Sequence, residues 1–236
     1  MSVQPAAPAE VLTWGPKNLP VPYAATWSGE TPGLGSGLII RPQGLGYRDE
    51  TPADRDRNGV LWSRVTHSPG AGRPDYQSMH PQRQRRAMLH KLCQVCGGPA
   101  DRTARGWLFL LPGPGPDSGP EAGPDAGPKS GPEDADLPPD RTGWTDDLRT
   151  TKPPICRPCA ALALRHCPHL TAPLFVRSRK PRAWGVYGDL FTPTGQLAPA
   201  DSGNYLPYGH PAAPWFLASQ SVVELGRCTP VTLEAG

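Results

Sequence analysis

Two Cys-x-x-Cys pairs are the residues of this sequence whose type and spacing best fit a chemical site. They are Cys93 and Cys96 in Cys-Gln-Val-Cys, and Cys156 and Cys159 in Cys-Arg-Pro-Cys. Four thiolates in two such pairs are typical of one tetrahedral zinc ion. A site with four cysteine ligands is coordinatively closed and leaves no position for an activated water. The pairs therefore predict one structural Zn²⁺ and no catalytic metal.

The residues around each pair indicate how the four sulfurs would meet. After Cys96, Gly97 or Gly98 can supply the positive φ that a tight zinc knuckle needs. A helix is predicted over residues 154–166, and its first turn would carry Cys156 and Cys159 on one face. Helix N-terminal N–H groups also favour the thiolate form of cysteine.

A β-hairpin is predicted between the two pairs. Residues 107–111 form an apolar run that indicates a buried strand, and residues 141–151 are the candidate second strand. The order of knuckle, hairpin and helix is that of a treble clef, and this arrangement would cover about residues 91–167.

A second metal site would use the remaining cysteines and nearby histidines, which are His166, Cys167, His169 and Cys228. The alternative is that His166 and Cys167 cap the helix and pack below the zinc, because local spacing places no fourth ligand.

The sequence nominates no catalytic residue. Treble-clef nucleases of the HNH type hold a catalytic metal with histidines of the hairpin and helix, but residues 97–155 contain no His and no Asn. Gly-x-Ser-x-Gly, P-loop and dinucleotide fingerprints are also missing, and no small-molecule substrate is indicated. An enzyme whose active site is built from dispersed residues stays an alternative.

Charge is strongly segregated along the chain. Residues 73–105 carry seven Lys/Arg against two Asp, and residues 148–182 carry eight Lys/Arg and no acid. Both basic segments contain a cysteine pair, so folding around zinc would join them into one positive surface that attracts nucleic acid or an acidic protein face. The predicted contact residues are Arg83, Arg85, Arg86, Lys91, Arg177, Arg179, Lys180 and Arg182. The alternative is an ordinary solvated face.

Between the basic segments lies an acidic stretch in which Gly-Pro recurs every four residues. Residues 112–147 carry nine acids and two bases, and few apolar side chains that could anchor a core. Residues 112–140 are therefore predicted to be a disordered insertion.

The fold class predicted is α+β, with short strands and two short helices around the zinc centre. Pro and Gly are abundant, at 33 and 27 of 236 residues, which favours one modest core. Residues 1–20 are predicted to be an extended arm, residues 21–80 a β-rich segment, residues 81–170 the zinc module, and residues 171–236 a β-rich C-terminal segment. Within them, strands are expected at 37–40, 59–66, 174–177, 184–191 and 215–233, and a helix at 81–92 with an apolar face of Met88, Leu89 and Leu92.

The location predicted is cytoplasmic. The first residues lack the charged and apolar regions of a signal peptide, and no apolar run approaches the roughly 20 residues of a membrane span. In a reducing compartment, Cys-x-x-Cys pairs indicate metal ligands or redox sites rather than structural disulfides.

Residues 72–101, which end in Met-Leu-His-Lys-Leu-Cys-Gln-Val-Cys-Gly-Gly-Pro-Ala-Asp, give the chain a resemblance to a known group. With its Ala/Arg/Pro/Gly-rich remainder, the chain resembles small zinc proteins of high-GC actinomycetes and their phages. In size and style it is similar to the recombination directionality factors of Streptomyces phages. The resemblance implies a partner, a large serine integrase seated on DNA, which such factors switch from integration to excision. The four cysteines would then be scaffold.

The function predicted is therefore that of a non-catalytic, zinc-stabilised accessory protein that binds a DNA-transaction protein and regulates the direction of recombination. Direct binding of DNA or RNA through the basic surface is the second hypothesis. An enzyme with an unidentified active site is the third.

Overall fold

The structure is a computed structural model that describes residues 11–31, 37–112, 148–167, 170, 173–193 and 199–233. Apart from Pro112, the predicted disordered insertion lies outside the described residues, as do residues 1–10 of the predicted arm. Within the described ranges the chain forms thirteen strands and two α-helices, so the mixed α+β class is confirmed.

The strands are β1 (Thr13–Trp14), β2 (Leu19–Pro20), β3 (Ala25–Trp27), β4 (Leu38–Arg41), β5 (Gly44–Tyr47), β6 (Leu61–Trp62), β7 (Pro74–Met79), β8 (Arg102–Thr103), β9 (Gly106–Leu111), β10 (Leu148–Thr150), β11 (Leu174–Phe191), β12 (Pro199–Pro207) and β13 (Phe216–Val231). The helices are α1 (Pro81–His90) and α2 (Arg157–His166).

Two long antiparallel strands, β11 and β13, form the centre of a seven-stranded sheet. In one half of this sheet they are flanked by β9 and β8 on one side and by β10 on the other. In the other half, β12 pairs with β11, and β6 pairs in parallel with β13. The predicted strands at 174–177 and 184–191 are thus one strand, and the basic residues between them lie within it. The strand predicted at 215–233 is β13.

Strand β9 is buried on both of its faces. Leu108 and Leu110 pack in the cluster that contains cysteines of the two Cys-x-x-Cys pairs, whereas Phe109 and Leu111 pack with Met88 of α1. A strand that is covered on both faces has a continuous run of apolar residues. This is why residues 107–111 lack the usual alternation of apolar and polar residues.

The hairpin partner of β9 differs from the prediction. β9 pairs with β8 through a short turn, and with β11 on its other side. Since both edges of β9 are occupied, β10 pairs instead with β13, where Leu148 lies opposite Leu225.

Helix α1 buries polar side chains together with Met88 of the predicted apolar face. Pro81 occupies its first position as predicted, but Leu89 is 57% exposed while Arg83 and Gln84 are buried. The Gln84 amide donates to the carbonyl oxygens of Thr151 (2.6 Å) and Ser221 (2.9 Å) and accepts from the Ser221 N–H (2.8 Å). A buried amide is tolerated because all of these groups find partners, so α1 is fastened to β13 and to the residue that follows β10.

The predicted N-terminal arm is wrong over residues 11–20, which form the β1–β2 hairpin around a turn with positive φ at Gly15 and Asn18. The segment at 59–66 contributes only β6 to the sheet, and β3 pairs with β7. Among the described residues, no helix is both long and apolar enough to cross a membrane.

Candidate metal centre

The first cysteine pair lies on a tight knuckle. The Cys93 N–H donates to the Gly98 carbonyl (2.7 Å), and the Gly97 N–H donates back to the Cys93 carbonyl (2.8 Å). Gly97 has a φ of 70°, and a Cβ at this position would lie 2.7 Å from the ring of Tyr23. Both the backbone conformation and the close contact therefore require glycine.

The second pair lies at the start of α2. Cys156 is the residue that precedes the helix, and the Ala160 N–H donates to its carbonyl (2.9 Å). The helix begins three residues later than predicted because residues 154–155 are extended and bonded to other segments. Ile155 exchanges backbone hydrogen bonds with Leu108 and Asp101, and the Gln94 N–H donates to the Pro154 carbonyl (3.0 Å). These bonds hold the two cysteine segments side by side.

The four sulfurs converge on one point. The Sγ atoms of Cys93, Cys96, Cys156 and Cys159 all lie within 4.8 Å of one another, and those of Cys96 and Cys156 are 3.9 Å apart. A tetrahedral ion with metal–sulfur distances of about 2.3 Å would place its sulfurs about 3.8 Å apart. The four side chains can therefore hold one metal ion.

The thiols share protons in this arrangement. Hydrogen bonds from Cys159 and Cys93 hold the pKa of the Cys156 thiol far below its usual range. The reciprocal hydrogen bonds to Cys156 raise the pKa of Cys93 and of Cys159. Metal binding would release the shared protons, because only thiolates coordinate.

The cysteine cluster is part of a hydrophobic core. Cys93 is fully buried. The cluster packs with Val95 of the knuckle, Leu108 of β9, Ile155 of the segment before α2, and Phe175 of β11. A metal here would fasten the knuckle and α2 to the sheet.

The predicted second metal site is not assembled by the residues that the structure describes. The Cys167 N–H caps α2 by donating to the Ala163 carbonyl (2.9 Å), and the Cys228 thiol donates to the Leu225 carbonyl (3.3 Å). His169 lies outside the described residues. Among the described residues, none of His166, Cys167 and Cys228 belongs to a group of three or more His, Cys, Asp or Glu side chains that could bind one metal ion.

Glu30, His67 and His80 form a different cluster, with ligand atoms within 4.8 Å of one another. Here the guanidinium of Arg83 already occupies the place of a cation, since it donates to both carboxylate oxygens of Glu30 (2.5 and 2.7 Å) and to the Ala25 carbonyl. The cluster is a buried ion pair that joins α1 to the N-terminal segment. Sequence reasoning missed it because Glu30 and Arg83 are distant in the chain.

Two of the predicted contact arginines are corrected by their burial. Arg83 is 2% exposed and pairs with Glu30, while Arg177 is 4% exposed and pairs with Asp101 and the Gly106 carbonyl. A buried guanidinium whose charge is already neutralised cannot reach a phosphate group. These two residues are structural.

The other six predicted cations are split between α1 and β11. On α1, Arg86 is exposed, and the Arg85 guanidinium lies 4.7 Å from the centre of the Trp62 ring. Lys91, which directly follows α1, donates to the Met88 carbonyl (2.6 Å), and burial lowers its pKa. On β11, Arg179, Lys180 and Arg182 are exposed, and Arg182 donates to Glu224 (2.8 Å).

Two exposed cations that the sequence did not single out, Arg102 and Arg105, lie at the β8–β9 turn. Arg179 of β11 donates from Nε to the Ala104 carbonyl in this turn (3.0 Å). The structure thus adds the turn to the basic surface. The Arg-Thr-Ala-Arg-Gly sequence was a usable signal, since it places two arginines at a glycine turn.

A cavity of about 320 Å³ lies between α1 and the sheet. On its wall the Tyr208 hydroxyl donates to Asp56 (3.0 Å), and burial raises the pKa of Tyr208. Asp56 also accepts from Trp62 Nε1 and from the N–H groups of Asn58 and Val60. With these bonds the Asp56 carboxylate ties the turn before β6 to the residue that follows β12.

Comparison of the chain with protein-family models, with curated proteins and with solved structures finds no match in any of the three.

Proposed function

We propose that Cys93, Cys96, Cys156 and Cys159 hold one Zn²⁺ in a treble clef. Four thiolate ligands suit zinc among the common divalent ions. The element order supports the assignment, because a knuckle with Gly97 in the left-handed region is followed by the β8–β9 hairpin and then by α2. A zinc ion with four cysteine ligands has a complete coordination sphere, so its role would be to stabilise the fold.

The protein itself is proposed to be a non-catalytic accessory protein that binds a DNA-transaction protein, such as a phage large serine integrase, and regulates the direction of recombination. The observation that carries this proposal is the complete set of four cysteines. The elements around this set carry exposed cationic side chains. Such a metal centre is a scaffold for a contact surface. The resemblance of residues 72–101 supports the choice of partner.

The outer face of α2 is the surface that fits a protein partner. Cys159 and Ala160 face the metal centre, whereas Arg157, Ala161, Leu164 and Arg165 are exposed. Their spacing of three and four residues places them on one side of the helix. Leu164 is 37% exposed between two arginines, which suits a partner surface with an apolar spot and acidic neighbours.

A recombination assay tests this proposal. The integrase encoded in the same genome is incubated with a plasmid that carries attL and attR, with and without the metal-loaded protein. We expect excision only when the protein is present, and we expect Leu164→Glu to reduce it while the metal content is kept. Lack of any effect on either direction of recombination, together with lack of co-elution with the integrase, would refute the proposed function.

Direct binding of nucleic acid is the second candidate. The specific observation in its favour is the exposed positive charge that the β8–β9 turn and β11 assemble from distant parts of the chain.

A further inference from the structure

One edge of β11 is left open between its two neighbours. On this edge, β9 pairs with β11 up to Ser178, and β12 pairs with β11 from Gly185 onward. One further hydrogen bond runs from the Tyr208 N–H to the Trp184 carbonyl. Residues 179–183, Arg-Lys-Pro-Arg-Ala, therefore lack a ladder partner on this side among the residues that the structure describes. At 3.3 Å per residue the open edge is about 16 Å long.

The β8–β9 turn is fixed against one end of this open edge. Gly106 has a φ of 105°, and a Cβ there would lie 2.0 Å from the Ser178 carbonyl oxygen, so only glycine allows this approach. The bond from Arg179 to the Ala104 carbonyl adds a second link. Arg102 and Arg105 are thereby held near Arg179, and Lys180 is the next residue along the open edge. These four residues are called the edge patch.

Among the residues that the structure describes, the acids near the edge patch are already paired with other arginines. Asp101, which precedes the turn, is already bound by Arg177, with Arg157 4.0 Å away. Glu224, on the neighbouring strand, accepts from Arg182 and lies 3.9 Å from Arg149. The Arg102 guanidinium is stacked 4.5 Å from the Trp107 ring centre, which orients it without neutralising it.

We infer that the edge patch binds the phosphate backbone of duplex DNA. Arginine forms bidentate hydrogen bonds with phosphate, and lysine adds a further positive charge. A contact about 16 Å long corresponds to about half of a helical turn of duplex DNA, whose turn is about 34–36 Å. Contacts to phosphate carry no sequence information by themselves, so we expect binding that is independent of sequence.

This inference rests on the second candidate function and gives it a site and a ligand. It is also compatible with the integrase proposal, because a partner seated on DNA brings phosphate groups to the complex. The two can fail separately, since the recombination assay reports on the integrase and the following assay contains DNA alone.

The test measures binding of the metal-loaded protein to a fluorescent 30-base-pair duplex of random sequence by anisotropy, at several KCl concentrations between 50 and 200 mM. Four phosphate contacts predict that log Kobs falls with log[KCl] with a slope of about −3.6, at about −0.9 per contact. The variant Arg105→Gln/Lys180→Gln, which removes two exposed side chains, should reduce the magnitude of this slope by about 2.

The control variant is Arg48→Gln/Arg73→Gln, which removes two exposed arginines of the N-terminal segment. It has the same net charge as the edge-patch variant, and we expect it to keep the wild-type slope. Equal slopes for the two variants, or no binding by the wild-type protein at 50 mM KCl, would overturn the inference. If poly-glutamate competes as well as DNA at equal charge, the patch is a site for an acidic protein segment, and the DNA assignment is wrong.

Discussion

The segments that flank the two halves of the central sheet are held together by different chemistry. In the metal half, which comprises the knuckle, β8–β10 and α2, four cysteines gather segments that otherwise share a small apolar core. In the arginine half, which comprises residues 37–66 with β12, guanidinium groups have this role. Arg64 makes a two-point contact with Asp54 (2.7 Å for both bonds) and also donates to Asp49 (2.8 Å), and Arg55 donates to Glu50 (2.6 Å).

The difference shows two ways in which a chain rich in Pro and Gly can stabilise short strands. A metal concentrates the stabilisation in one event that depends on all four ligands at once. Arginine–carboxylate pairs distribute it over several contacts, and each of them contributes little where it is exposed. The metal half should therefore fail as a unit, whereas the arginine half should lose stability in steps.

The largest expected effect comes from loss of the metal. Cys93→Ser should abolish metal binding and unfold the metal half, because structural zinc in zinc-finger peptides contributes about 10–16 kcal/mol. Hydrogen exchange with mass spectrometry should then show rapid exchange in β9 and slower exchange in β5. Cys228→Ser lies outside the cluster and should keep one metal ion per chain. Equal loss of protection in β5 and β9 would show that the halves are one cooperative unit.

A smaller effect is expected where α1 joins the N-terminal segment. Glu30→Gln leaves the buried guanidinium of Arg83 without its counter-ion, which should cost about 3–5 kcal/mol in urea denaturation. The control is Asp49→Asn, which affects an arginine pair whose carboxylate is 74% exposed, and which should cost less than about 1 kcal/mol. Similar losses for both variants would contradict the distinction between buried and exposed pairs.

The smallest effect concerns acid stability at the same junction. His80 is fully buried near Arg83, Glu30 and His67, and burial lowers its pKa. Between pH 6.5 and 5.5 the unfolded chain binds a proton that the folded protein excludes, so the free energy of unfolding falls, by at most about 1.4 kcal/mol per pH unit. The pKa of Glu30 is lowered to about 2 in the folded protein. Its protonation in the unfolded chain therefore lowers the free energy of unfolding further only below about pH 4.5.

The comparison of wild type with His80→Gln isolates the histidine, because metal loss at low pH is common to both proteins. We expect the variant to show a flatter dependence of unfolding free energy on pH between 6.5 and 5.5. Parallel curves would mean that His80 binds protons equally in the folded and the unfolded protein over this range.

Features that depend on neighbouring residues were predictable from the sequence. The two Cys-x-x-Cys pairs, the glycine that follows Cys96 and the proline that begins α1 are set by local backbone geometry and ligand spacing. The apolar run of β9 was likewise readable, because burial on both faces leaves a continuous pattern. The two helices were also predicted, although α2 begins three residues later than expected, whereas the long strand β11 was predicted as two separate strands.

Features that depend on a distant partner were decided only by the tertiary structure. Arg83 and Arg177 lie in basic segments that predict a solvated surface. Both are buried because they form ion pairs with Glu30 and Asp101. The open edge at residues 179–183 exists because β9 ends and β12 begins at particular positions on β11. The sequence by itself determined which side chains can bind a metal, because that chemistry is local. Which cations remain exposed to a partner was decided by tertiary pairing, because the free energy of a charge depends on what surrounds it.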